Sequence, residues 1–184
     1  MGSSGNKNVQ FIGSKLTRFD AHNGVHCVKL IDSELRMVRT NGSGDFIMEN
    51  CKMYNRLLIG LREDYGGSLR GDILIKNVTM DPGEAYPILI SNTWYNHYFG
   101  YPTFMPETIV IDNFQLTKGN EVHIFSPNLV SQLDNAWRDE VDGKPNVNKM
   151  IPPKKIIIRN NKSKLKYILP ESDFFKDTEI IFED

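Results

Sequence analysis

An all-β solenoid of about seven short coils is the fold class that three features of this 184-residue sequence predict. The first is a template at residues 45–53, DFIMENCKM, in which apolar Phe46 and Met48 alternate with Ile47 and Glu49, Asn50 follows, and Met53 returns three places later. Such alternation marks a strand with one buried face. The second is recurrence. Good copies run through Val28, Leu30, Asp32 and Leu35, through Ile73, Ile75, Asn77 and Met80, and through Ile109, Ile111, Asn113 and Leu116. Weaker ones are Val9, Phe11, Gly13 and Leu16, then Ile156, Ile158 and Asn160, with Ile180, Phe182 and Asp184 as a half-copy. The third is spacing: the amide slots fall at 13, 32, 50, 77, 113, 160 and 184, a unit of about eighteen residues with insertions. That is too short for a helix pair and suits a coil whose strand lies about 4.8 Å above its equivalent. A second strand is expected after each template, at 19–22, 36–39, 57–61, 87–91, 122–125 and 166–169.

An apolar alternating strand followed by Asn at a bend, repeated along almost the whole chain, resembles the right-handed parallel β-helix superfamily. This is the pectate-lyase-like fold of polysaccharide lyases, polygalacturonases and bacteriophage tail spikes. The resemblance implies a right-handed, single-stranded parallel β-helix, a handedness that general crossover preference also favours. It further implies a ladder of stacked side-chain amides through Asn50, Asn77, Asn113 and Asn160, from which Asp32 and Gly13 depart.

Composition narrows the function classes. With 22 basic and 23 acidic residues the chain is nearly neutral, which speaks against a nucleic-acid partner. No run approaches the eighteen apolar residues of a membrane span, and no secretory signal precedes the first strand. Cys27 and Cys51 sit at different offsets from their slots, five before and one after, so they read as reduced, buried thiols. G-x-S-x-G, a phosphate-binding glycine loop and C-x-x-C are all missing, and no cofactor is called for. The two sequons, at Asn77 and Asn161, lack a signal peptide, and Asn77 is claimed by the amide slot.

Taken in order, residues 1–7 form a Gly/Ser-rich lead, read as flexible or as a cloning remnant, and one domain spans 8–184. No amphipathic helix caps the first coil, so the expectation is that the chain is the carboxy-terminal part of a longer protein or is covered by a partner. The first coil ends in a polar strand in which Arg18, Asp20 and His22 share one face. Neighbouring coils add Arg36 and Arg39, then Arg62, Glu63 and Asp64. Asp20 and Arg39, each seven places after its slot, are expected to pair across one coil spacing. As a saccharide groove this ridge would use Asp20, His22, Glu63 and Asp64 for proton transfer, and Arg18, Arg39 and Arg62 to hold an acidic sugar. As a purely structural feature it is an outward ladder of surface ion pairs, each worth little. His22 and His26 lie across a turn, a spacing without force for zinc, so no metal is expected.

An insertion at 92–105 then concentrates Trp94, Tyr95, His97, Tyr98, Phe99, Tyr101 and Phe104. Trp94, Tyr95, His97 and Tyr98 are candidates for a sugar-stacking platform, against the plainer reading of a packed flank or subunit interface. A longer insertion at 118–153 holds the one expected helix: Ser126 as cap, Pro127 in the first turn, and Leu129, Leu133, Trp137 and Val141 as an apolar stripe. The basic residues from Lys154 to Lys166 alternate with apolar ones and read as a solvated strand face.

Three functions of different classes fit. The resemblance to tail spikes implies a module that recognises a cell-surface polysaccharide, assembled as a homotrimer and located on a virion or outside the cell. The alternatives are a lyase or glycoside hydrolase acting on an acidic polysaccharide, and a structural solenoid without ligand; fold alone does not choose among them.

Overall fold

The computed structural model describes residues 2–22, 24–62, 69–93, 102–127, 139–147 and 149–184, with the backbone alone at 2–4, 22, 92, 93 and 141. The architecture is all-β and solenoid-like: three parallel sheets run along the molecule, and within each the internal strands pair with the equivalent strands of the preceding and following repeats.

The largest sheet is built from the templates. Its path runs through Lys7–Ile12, Val25–Ile31, Gly42–Glu49, Ile73–Lys76, Thr108–Asp112, Lys155–Arg159 and Glu179–Glu183, with Leu69–Arg70 added beside Gly42–Glu49. All seven sequence copies lie in this sheet. Their apolar positions superpose in register, Val28 on Phe46, Ile73, Ile109 and Ile156, and Leu30 on Met48, Ile75, Ile111 and Ile158. These side chains form a continuous buried column, each contributing about 1.5–3 kcal/mol relative to exposure.

A second sheet runs through Gly2–Ser4, Phe19–His22, Val38–Thr40, Leu57–Arg62, Ile88–Thr93, Glu121–Phe125 and Lys166–Ile168. The six expected second strands all fall here. Part of the expected flexible lead is also paired, with Gly2 opposite Asp20 and Ser4 opposite His22. A third sheet, of two-residue strands, joins Lys15–Leu16, Glu34–Leu35, Lys52–Met53, Thr79–Met80 and Gln115–Leu116. Leu35, Met53 and Met80 close the core from this side.

The slot residue after each template strand has a backbone reason of its own. Gly13, Asp32, Asn50, Asn77, Asn113 and Asn160 all have φ between 50 and 61°, the left-handed region. Glycine, Asn and Asp are the residues that enter that region most readily. The amides of Asn50, Asn77 and Asn113 stack as the resemblance implied, and Asp32, expected to depart, joins them through its carboxylate: Asn50 Nδ2 donates to Asp32 Oδ1 at 3.0 Å, Asn77 to Asn50 at 3.1 Å and Asn113 to Asn77 at 2.9 Å. Asp32, an acceptor only, is the foot of the ladder. Asn160 leaves it and donates instead to Asp112 at 2.7 Å.

Charges outside the large sheet also follow the stacking. Glu49, Lys76, Asp112, Arg159 and Glu183 occupy one column in register. Lys76 bonds Glu49 at 2.8 Å and Arg159 bonds Asp112 at 3.0 Å, and the first contact holds the Lys76 ammonium above its ordinary pKa. At one corner the backbones approach so closely that side chains are excluded: a Cβ on Gly42 would lie 1.9 Å from the Val25 carbonyl, and one on Gly71 2.2 Å from that of Gly44.

The insertions depart from expectation where they are described. Residues 128–138 of the expected helix lie outside the described part. Glu140–Val141, however, is a strand in a hairpin with Lys144–Pro145, so Val141 does not continue a helix. A short 3-10 helix at Asp173–Phe175, capped by Ser172, buries Phe174 and Phe175, and Phe175 stacks on Phe125 at 4.9 Å.

Candidate functional site

The polar strand of the first coil buries the Asp20 carboxylate beneath a half-exposed Arg18 and a largely buried Arg62. Asp20 is 1% exposed. Its carboxylate is bracketed by the Arg18 guanidinium and by that of Arg62, the latter at 3.2 Å and reaching from two strands above. Arg39 stands opposite Asp20 in register as expected, yet it makes no ion pair among the described residues. With both oxygens engaged by guanidiniums and solvent excluded, Asp20 is suited to anchoring Arg18 and Arg62. It is poorly placed to carry protons to a sugar. One residue beyond Arg39, Thr40 Oγ1 is buried with no hydrogen-bond partner among the described residues.

Of the other expected site residues, Glu63, Asp64, Trp94, Tyr95, His97 and Tyr98 lie outside the described residues, as does the side chain of His22. His26 bonds Ser43 Oγ through Nδ1 at 3.0 Å. Both cysteines are free, but only Cys51 is buried; Cys27 is half-buried beside Gly44. The Cys51 thiol donates to the Leu30 carbonyl at 3.2 Å, and burial pushes its pKa up. No group of three metal-ligating side chains occurs among the described residues, and no helix there is long and apolar enough to cross a membrane.

A different surface assembles where the short third sheet turns into the second. The residue after each two-residue strand hydrogen-bonds to the rung below: Arg36 N to Leu16 O, Tyr54 N to Leu35 O, Asp81 N to Met53 O. Arg36, Tyr54 and Asp81 are thereby stacked at about 4.8 Å per rung. Asn55 makes the corner, its amide donating to the Arg36 carbonyl at 2.8 Å while its Oδ1 accepts from Leu57 N at 3.4 Å. That bend leaves Tyr54 and Arg56 outside. On the next rung Asp81 Oδ1 accepts from Gly83 N at 3.1 Å, turning the chain towards Tyr86.

Two clefts result. One of about 430 Å³ is lined by Lys15, Glu34, Arg36 and Tyr54, and one of about 460 Å³ by Tyr54, Asn55, Arg56 and Asp81; Tyr54 is common to both. Tyr54 is 43% and Tyr86 45% exposed. The Arg56 guanidinium lies over the Tyr86 ring at 5.5 Å, and Tyr86 meets His123 edge to face at 5.3 Å. Lys15 is neutralised by Glu34 at 3.2 Å, whereas Arg36 and Arg56 have no ion pair among the described residues. Exposed Tyr54, flanked by the Arg36 and Arg56 guanidiniums and followed by Tyr86 under Arg56, spans about 10 Å, two rung spacings, and can stack on a sugar ring and hold an acid group. Linear reading missed this surface because its rings come singly from separate turns. No family model, curated protein or solved structure matches the chain, so the reading of this groove stands on its geometry.

Proposed function

We propose that the chain is a right-handed parallel β-helix module of about seven coils that recognises a polysaccharide outside the cell. The sugar would lie along the Lys15 to Tyr86 flank. The parallel stacking and the amide ladder support the fold, together with the right-handedness of parallel crossovers. The observation that carries the function is the pair of clefts meeting at exposed Tyr54, with Arg36 and Arg56 on either side free of carboxylate partners among the described residues. An open, shallow groove of this length suits an extended chain better than a small metabolite, which is normally enclosed. The guanidiniums favour acidic sugars, because a planar fork matches a carboxylate or sulfate.

A glycan array probed with the wild-type protein, followed by titration of the best ligand, tests this reading. Tyr54→Ala and Arg56→Ala are each expected to weaken binding about tenfold, or 1.4 kcal/mol, with melting within a degree or two because both side chains are exposed. Variants that bind like wild type would remove the groove from consideration. Release of unsaturated or reducing ends would instead favour the lyase or hydrolase, and a blank array the structural solenoid.

A further inference from the structure

Over one stretch the strands of the large sheet are apolar on both faces. A strand with one buried face alternates, as Val9-Gln10-Phe11 and Val28-Lys29-Leu30 do, whereas Phe46-Ile47-Met48, Ile73-Leu74-Ile75, Ile109-Val110-Ile111 and Ile156-Ile157-Ile158 are unbroken. Unbroken apolar runs mark parallel strands that are covered on both sides. The first and third residues of each run fill the core. The middle residues, Ile47, Leu74, Val110 and Ile157, stack in register on the outer side, where they keep part of their surface in water. Four rungs make an aliphatic stripe about 19 Å long.

The charges beside the stripe specify what covers it. Two residues further along the same four strands, the column reads Glu49, Lys76, Asp112, Arg159, acid and base in alternation. Reversed, such a column of four is its own complement. Consider a second copy turned face down about a two-fold axis along the strand direction, midway between Ile73–Lys76 and Thr108–Asp112. Every position along the strand is kept and the order of the rungs is reversed. Leu74 then faces Val110 of the second copy and Ile47 faces its Ile157, while Glu49 faces Arg159 and Lys76 faces Asp112. Other two-fold settings put like on like. An axis along the solenoid sets Glu49 against Asp45 and Arg159 against Lys155, and one moved to the Asp112 rung sets Lys76 against Arg159 and Asp112 against itself.

We infer that this face joins two copies of the chain as an isologous pair with solenoid axes in opposite directions. The aliphatic stripes pack as aligned sheets about 10 Å apart, and the charge columns fix the register. The area is modest: four rungs of five residues cover about 300 Å² of sheet per copy. That places the pair among weak, reversible associations, half-formed at roughly 100 µM. The Tyr54 groove lies at the corner of the third and second sheets and stays open in both copies, so the pairing does not depend on what the groove binds.

Sedimentation equilibrium tests the pairing, with wild type expected to pass from monomer to dimer between about 10 µM and 1 mM. Leu74→Lys, at a partly exposed position, should keep the melt and move the midpoint up at least about tenfold; the milder Leu74→Thr, which retains strand preference, should move it about threefold. A variant with the whole column inverted, Glu49→Lys, Lys76→Glu, Asp112→Lys and Arg159→Glu, keeps opposite signs on neighbouring rungs and remains its own complement. It should dimerise like wild type, yet give no energy transfer when donor-labelled variant is mixed with acceptor-labelled wild type. Monomer throughout the concentration range, a trimer, a dimer that neither Leu74 variant weakens, or free mixing of inverted and wild-type chains would each overturn the proposal.

Discussion

Replacing Asn77 separates the two roles of the amide slot. Its side chain donates to Asn50 at 3.1 Å and accepts from Asn113 at 2.9 Å, while its backbone holds φ at 51°. The ladder faces solvent, so water can replace part of it, and the two bonds together are worth about 1 kcal/mol. A Cβ without a polar group in the left-handed region costs about 1 kcal/mol more. Asn77→Ala is therefore expected to lose about 2 kcal/mol. Asn77→Gly loses the ladder but relieves the backbone and should retain about 1 kcal/mol of that, apart from a small entropic cost. With a urea slope of about 2 kcal/mol/M, the two midpoints should differ by about 0.5 M. Equal midpoints for Ala and Gly would refute the backbone argument, and wild-type midpoints for both would refute the ladder as well.

Three further outcomes follow from the interior. Asp20→Asn removes the buried charge between a half-exposed and a largely buried guanidinium and should cost about 2 kcal/mol; an unchanged melt would mean that water satisfies both guanidiniums without the carboxylate. Thr40→Val replaces an orphaned buried hydroxyl by a methyl and is expected to raise the melting temperature, whereas a fall would reveal a partner for Oγ1. Burial pushes the Tyr167 phenol up to about 12 from an ordinary 10. The folded state thus holds this proton more tightly than the unfolded one, and the associated stability is present below pH 10 and lost between about 10 and 12. Tyr167→Phe should flatten the decline in stability measured over that window, and an unaltered decline would assign it to other groups.

Much of the fold is legible because stacking leaves chemical fingerprints at fixed offsets. Alternation exposes the buried face of each template, and the left-handed bend restricts the next residue to Gly, Asn or Asp, so positions 13, 32, 50, 77, 113 and 160 stand out. Two-residue strands such as Glu34–Leu35 are too short to alternate, so the third sheet shows in sequence only as the single apolar residue that returns three places after each slot. Asp20 reads as outward from its strand alone, since nothing local reveals that Arg62 folds over it from 42 residues away. The same holds for the groove. Tyr54, Arg56 and Tyr86 form no cluster until Asn55 and the Asp81 turn bring their rungs together.

The alternating column beside the large sheet also constrains how such a chain can lengthen. Duplicating a single rung between Ile73 and Glu183 would set acid over acid or base over base at one spacing, an unfavourable contact in a sheet. Duplicating two adjacent rungs keeps every neighbour opposite in sign. Descendants of this sequence that gain or lose coils in that region should therefore do so in pairs, and those with an odd change should carry a compensating charge reversal.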